Sequence, residues 1–197
     1  SMNGGELNTW EFKDHISSWD SCLITEYIKQ DQYAMDLYPN STNTIRVLVL
    51  VDPDTHEPFI AAAAQRIGSK TTGYLDNFTL GGYSANVDLN TGELSTAITK
   101  SDTLKKKKPV WHEIHPDTGA RIKGIRVPKW NRIKSDLIGL MNNLPYIRCV
   151  GLDVVVSKGE TVVIEGNSYP QFGVIQTHSP LLKNPRARRF YQYYGII

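Results

Sequence analysis

The chain has 197 residues, of which 40% are hydrophobic and 21% are charged, so it can bury a substantial core in one large domain or two small lobes. Its formal net charge of +2 argues against the strong positive field of proteins that depend on nucleic acid or on an anionic membrane. Two cysteines are too few for a disulfide framework, and no apolar run is long enough to span a bilayer, so the sequence predicts a cytoplasmic protein.

The first part of the chain predicts one short helix and three strands. Apolar residues recur partly in helical phase over residues 9–20, and "CLITEYI" at 22–28 is typical of a strand. "TIRVLVLVD" at 44–52 and "PFIAAAAQRI" at 58–67 predict a hairpin across the turn "DPDTHEP". The four alanines also fit a helix, but the preceding turn and the short length of the segment favour a strand.

The second part predicts a long helix between irregular segments and a further hairpin. Residues 69–92 are rich in Gly, Asn, Thr and Ser, and residues 100–127 form a basic segment in which the His-Pro pair at 115–116 predicts a surface turn. An amphipathic helix should begin near Pro128 and stop before Pro145. Together these elements predict an α+β fold, with a mainly antiparallel sheet packed with helices.

The segment "GLDVVVSKGETVVIEGN" at 151–167 predicts a hairpin with polar residues near its open end. If the turn centres near Gly159, Asp153 lies opposite Glu165, and Asn167 projects from the same face. Carboxylate and amide oxygens are the hard ligands that suit Mg²⁺. The alternative is a solvated hairpin end, where Asp, Glu and Asn are common because they are soluble and favour turns.

Several other polar residues interrupt or follow the predicted strands. Arg46 lies within the first strand of the 44–67 hairpin and Arg66 near the end of the second, while Asn77 precedes the glycine pair Gly81 and Gly82. Each has a structural explanation, since arginines can flank a sheet edge and glycines can form a turn. Together with the carboxylates they match what phosphoryl transfer requires, because cations neutralise the transferring phosphate.

The order of these motifs resembles the ATP-grasp superfamily of carboxylate ligases. Four pieces match in sequence order: "LITEYI", "IRVLVLVD…AAAAQRI", "DNFTLGG" and "LDVVV…VVIEGN". The longer strings "DNFTLGGYSANVDLNTGEL", "HPDTGARIKG" and "IEGNSYPQFGVIQ" resemble the sugar-transfer-associated branch more closely. The similarity extends from about Leu23 to Gln176.

The resemblance implies an ATP-grasp C-terminal lobe that uses ATP and Mg²⁺, with residues matched position by position. Metal ligands would be Asp153, Glu165 and Asn167. Catalytic contacts to phosphate would come from Arg46 and Arg66. A loop beside the triphosphate would contain Asn77, Gly81 and Gly82, and the hinge whose backbone meets adenine would contain Glu26, Tyr27 and Ile28.

The reaction implied by the resemblance activates a carboxylate as an acyl phosphate, which an amine or a similar nucleophile then attacks. The same resemblance implies a role in polysaccharide or cell-surface sugar biosynthesis. The carboxylate, the nucleophile and the oligomeric state are not specified. Residues 1–22 would be the end of a truncated small lobe and residues 23–197 the large lobe, so we expect this chain to be inactive alone.

Two alternatives remain open at this point. The first is a catalytically silent module of the same fold that binds nucleotide or metal without turnover. The second is an RNA-binding protein that uses Lys105–Lys108 and the "RARRFYQYY" tail. The low net charge argues against RNA binding, so no nucleic-acid partner is expected. No membrane span is expected either, because no apolar run is long enough.

Overall fold

The computed structural model of the protein describes residues 13, 17, 25–100 and 108–197. Within these residues, seven strands form one antiparallel sheet in the order β5-β4-β3-β2-β1-β6-β7. The strands are β1 (Ile45–Val51), β2 (Pro58–Ile67), β3 (Tyr83–Val87), β4 (Leu94–Thr99), β5 (Trp111–His112), β6 (Cys149–Ser157) and β7 (Glu160–Asn167). The α+β prediction is therefore confirmed.

Helices cover both faces of the sheet. They are α1 (Gln32–Leu37), α2 (Trp130–Asn142), α3 (Gly173–Gln176) and α4 (Pro185–Tyr193), with 3₁₀ turns at Phe78–Leu80 and Leu181–Lys183. Helices α1 and α2 pack on one face, and α3 and α4 on the other. No helix among the described residues is long and apolar enough to cross a bilayer.

Strand β1 lies at the centre of this arrangement, and all seven of its residues are buried. Successive side chains point to opposite faces, so Val47 and Val49 join the core under α2 while Leu48 and Leu50 join the core under α4. A strand buried on both faces reads as a continuous apolar run, which is why "IRVLVLV" shows no alternation. Arg46 is the exception within it.

The β6–β7 hairpin has the predicted register. Lys158 and Gly159 form a two-residue turn with φ of 51° and 71°, the left-handed conformation that suits a tight hairpin. Continued from the turn, the register would place Asp153 opposite Ile164, but a bulge at Ile164 shifts the pairing so that Asp153 lies opposite Glu165. Asn167 pairs with Gly151, two residues further along the same face. The turn and the bulge together therefore set which polar side chains share a face.

The predicted strand at 22–28 is wrong over the residues described, because residues 25–31 have no regular structure. Hydrogen bonds other than a strand ladder hold this segment: the Gln30 side chain donates to the Ser41 carbonyl at 2.7 Å and accepts from the Asn43 amide at 2.8 Å. The sequence also missed helix α1 and the β3–β4 pair. Of the helix predicted at 9–20, only residues 13 and 17 are described, and both are helical.

The turn predicted at the His-Pro pair is present at residues 116–118 and Pro116 is exposed, but His115 is not a surface residue, because its imidazole has no exposed area. It stacks on Tyr38, contacts Tyr83 edge-on, and lies 2.9 Å from the Gly68 carbonyl through Nε2. Its Nδ1 accepts from the Asp117 amide at 3.1 Å, which makes Nε2 the donor to Gly68. His115 is therefore a core residue that joins two loops.

Candidate functional site

A cavity of about 830 Å³ opens on the sheet face that carries α3. Six of the predicted site residues line it: Arg46, Arg66, Asn77, Asp153, Glu165 and Asn167. They come from β1, β2, the loop before the Phe78–Leu80 turn, β6 and β7. Residues far apart in the chain are brought together because β2, β1, β6 and β7 are consecutive neighbours in the sheet.

The two arginines share one carboxylate at the base of the cavity. Arg46 Nε donates to Asp153 Oδ1 at 2.5 Å and Arg46 Nη2 donates to Oδ2 at 3.0 Å, while Arg66 Nη1 donates to the same Oδ2 at 2.8 Å. The first pair follows from the register, because Arg46 and Asp153 are direct cross-strand partners. Both arginines are on central strands, which removes the explanation that they flank a sheet edge.

Asp76 completes this network and was missed from the sequence. Its Oδ1 accepts from Arg66 Nη2 at 2.7 Å, and its Oδ2 accepts from the amide and the hydroxyl of Thr44 at 2.8 and 2.5 Å. Burial raises the pKa of Asp76, although Arg66 and the hydrogen bonds from Thr44 act in the opposite direction. The sequence signal that could have identified Asp76 is its position directly before Asn77 in "DNFTLGG". It was missed because this acid follows a loop, whereas the charged residues predicted for the site lie within predicted strands.

Glu165 and Asn167 are on β7, which is the edge strand of the sheet among the residues described. Glu165 is exposed, Asn167 is half-buried, and Glu165 forms no ion pair within the described part of the chain. These two oxygen-bearing side chains fit a hard cation, with Asp153 as the third. Asp153 differs from them, because both of its oxygens already accept from arginine. The described residues contain no group of three or more His, Cys, Asp or Glu side chains that could hold a metal, and the role of Asp153, Glu165 and Asn167 as metal ligands stays a prediction.

The opposite end of the cavity has a different character. Trp111 on β5 is 50% exposed, and its ring centroid lies 5.8 Å from that of His178. Lys100 lines the same cavity. Sequence reasoning missed this end because β5 has only two residues and shows no periodicity.

A comparison with protein families identifies the chain. The sequence model described as sugar-transfer associated ATP-grasp matches residues 12–187. The protein belongs to this ATP-grasp family. Neither the comparison with curated proteins nor the comparison with solved structures gave a match.

The glycine-rich loop of this ATP-grasp protein contributes to the cavity through Asn77, which caps the 3₁₀ turn. Its Oδ1 accepts from the Thr79 and Leu80 amides at 2.8 and 3.3 Å. Gly81 has a φ of 112°, and a Cβ on Gly82 would lie 2.8 Å from the Ile67 carbonyl oxygen. Neither glycine lines the cavity. Both positions require glycine for backbone reasons, and their role beside a triphosphate stays a prediction.

The hinge residues predicted from the ATP-grasp resemblance lie outside the cavity lining. Glu26 and Tyr27 are exposed, Tyr27 by 76%, and Ile28 is half-buried. None of them is among the residues around the 830 Å³ cavity. Their contact with adenine therefore stays a prediction.

The basic tail considered for RNA binding is engaged in ion pairs. Arg186 Nε donates to Asp52 at 2.9 Å, and its guanidinium lies 4.0 Å from the centre of the Phe59 ring. Arg189 pairs with Asp54 at 2.7 Å. Of the lysine run, residues 105–107 lie outside the described residues. These ion pairs connect α4 to the β1–β2 turn, so Arg186 and Arg189 of the tail have a structural role that does not require RNA.

Proposed function

We propose that the protein is the large-lobe part of an ATP-dependent carboxylate ligase. The supporting observation is the convergence of two guanidinium groups and three oxygen-bearing side chains on one cavity in a chain of the ATP-grasp family. The ligase would transfer the γ-phosphate of ATP to a carboxylate, and an amine or a similar nucleophile would attack the resulting acyl phosphate. No protein nucleophile is needed for this chemistry.

In this proposal each side chain has a defined task. Glu165, Asn167 and Asp153 would hold Mg²⁺, which when bound neutralises phosphate charge. Arg46 and Arg66 would hold the transferring phosphate oxygens, and their central strands would keep them in place before substrate arrives. Asn77 would shape the loop beside the phosphates. Glu26, Tyr27 and Ile28 would meet adenine through their backbone.

We also propose that residues 1–22 end a small lobe and that residues 23–197 are the large lobe. Lys100 is the only lysine among the described residues that line the cavity, whereas ATP-grasp enzymes hold the phosphates with small-lobe lysines. This chain by itself should therefore bind ATP weakly and release no ADP. The family's association with sugar transfer supports a role in polysaccharide or cell-surface sugar biosynthesis, which we place in the cytoplasm.

The test is an ADP-release assay over panels of carboxylates and amines, run with this chain alone and with a small lobe supplied. We expect ADP only when the lobe, a carboxylate and an amine are all present. Glu165→Gln should reduce turnover at least tenfold if it removes one charged metal contact, a loss of about 1.4 kcal/mol or more. Glu160→Gln is the matched control, because Glu160 is exposed on the same strand but lies at the turn. Equal activity of the two variants would contradict the metal assignment.

One observation favours a second candidate, the catalytically silent module. Asp153 already has arginine partners for both oxygens, so the base of the cavity is satisfied without ligand. A silent module would bind ATP with Mg²⁺ but release no ADP under any combination of lobe, carboxylate and amine. Calorimetry alongside the ADP assay separates the two candidates.

A further inference from the structure

The charged base of the cavity is balanced before any ligand binds. Two guanidinium groups, of Arg46 and Arg66, face two carboxyl groups, of Asp153 and Asp76, and the four side chains are between 6% and 15% exposed. Buried arginines without partners would be costly, so these carboxyl groups help to stabilise the empty site. The same pairing weakens the attraction of the arginines for an anion.

The two carboxyl groups hold the arginines in different ways. Asp76 is also held by a group other than arginine, because its second carboxylate oxygen accepts two hydrogen bonds from Thr44. Among the described residues, the carboxylate of Asp153 accepts hydrogen bonds from the two arginines alone, and its cross-strand neighbour on the open side is Glu165. A cation between β6 and β7 would therefore compete for Asp153 and leave Asp76 untouched.

We propose that Asp153 is an exchangeable counter-ion that couples cation binding to anion binding. A divalent cation held by Glu165 and Asn167 draws the Asp153 carboxylate away from Arg46 and Arg66, which frees the guanidinium of Arg46 and the Nη1 of Arg66 for a polyphosphate. Asp76 keeps Arg66 in position during the exchange. The inference rests on the metal and phosphate placement proposed above, but it does not depend on ligation.

This arrangement makes the two binding events reciprocal. A cation that frees the arginines raises the affinity for the anion, and the anion raises the affinity for the cation by the same factor. It also gives Asp153 a role that a simple metal ligand lacks. Removing its charge should strengthen anion binding when no metal is present, because Arg46 then has no competing carboxylate and Arg66 has only that of Asp76.

The first experiment measures tripolyphosphate binding by calorimetry in the presence of a chelator. Asp153→Asn should bind tripolyphosphate about tenfold more tightly than the unmodified chain, because a charge close to both arginines is lost. Asp52→Asn is the matched control, since it removes one carboxylate paired with an arginine outside the cavity and should leave the affinity unchanged. Equal or weaker binding by Asp153→Asn, or no binding by any of the three proteins at millimolar tripolyphosphate, would overturn the proposal.

The second experiment uses the unmodified chain, in case Asp153→Asn does not fold. The Nε–H resonance of Arg46 is followed by NMR while Mg²⁺ is added without anion. We expect it to shift and to exchange faster with water, whereas the Nε–H of Arg186, paired with Asp52, should not change. A Mg²⁺-induced shift at Asn167 with Arg46 unchanged would refute the exchange, and so would no shift at either residue.

The two experiments also separate this inference from the proposed function. If the coupling is observed but no ADP is ever released, the exchange stands and the ligase proposal fails. If ADP is released while the Nε–H resonance of Arg46 does not shift on addition of Mg²⁺, the ligase proposal stands and the exchange fails.

Discussion

The two ends of the cavity differ in how their side chains are held. At the charged end, Arg46 and Arg66 lie on central strands, and both donate hydrogen bonds to buried carboxyl groups, those of Asp153 and Asp76. At the aromatic end, Trp111 lies on a two-residue strand at the sheet edge and half of its surface is exposed. Side chains at the charged end are preorganised, whereas those at the aromatic end can change with little cost to the fold.

This difference suggests that the two ends of the cavity have different roles. Phosphate chemistry needs charges held in fixed geometry, which central strands provide. Recognition of a particular substrate is commonly carried by loops and edges, which tolerate substitution. We therefore expect changes at the charged end to alter both folding and phosphate binding, and changes at the aromatic end to alter substrate choice alone.

The largest effect should come from Arg66→Ala at the charged end. The substitution leaves Asp76 and Asp153 partly unpaired in a buried site, and breaking such a network typically costs about 3–5 kcal/mol in the free energy of unfolding. Urea denaturation followed by circular dichroism measures this. Arg189→Ala, which removes an exposed ion pair with Asp54, should leave the midpoint unchanged. If the two variants unfold at the same urea concentration, the charged end is not the rigid one.

A smaller effect on the free energy of unfolding should come from protonation of His178, whose ring contacts that of Trp111. Burial lowers the pKa of His178 to about 4, and its Nε2 lies 2.8 Å from Ser84 Oγ. Because the folded-state pKa is depressed, the unfolded chain binds more protons below pH 6.5. Stability is therefore complete above that pH and is lost as the pH falls toward 4, by about 2 kcal/mol between pH 7 and pH 5.

Denaturation at several pH values tests this prediction. His178→Gln should flatten the dependence of unfolding free energy on pH, and His56→Asn, at an exposed turn, should retain it. His112 contributes a residual slope of the same sign, since burial and His115 lower its pKa. An unchanged slope in His178→Gln would mean that this imidazole is not held neutral by the fold.

The smallest effect on stability should follow Trp111→Ala. About half of this side chain remains in water, so its removal should cost only about 1–2 kcal/mol of unfolding free energy. Binding of tripolyphosphate should be unaffected, because the arginines are at the other end of the cavity. Thermal unfolding and calorimetry check both statements. A large loss of polyphosphate affinity would show that the two ends do not act separately.

Elements with a strong local pattern were predictable from the sequence. The β-branched runs on either side of a Lys-Gly turn predicted the β6–β7 hairpin, and the expected pairing of Asp153 with Glu165 is present, although a bulge at Ile164 that was not predicted is needed to produce it. The helical spacing of Trp130, Ile133 and Leu137 likewise predicted α2. In both cases residues close in sequence decide the outcome, through turn geometry or through one buried helix face.

The partners of the charged residues were decided only by the tertiary structure. Arg46 and Asp153 are 107 positions apart and meet because β1 and β6 are neighbours in the sheet, a choice that no local pattern encodes. The same holds for Asp76 and Arg66, and for His115, which the loop packing buries against Tyr38. Local sequence sets the type of element and the face of each side chain. Strand order and loop packing, which depend on the whole core, set which charges neutralise one another.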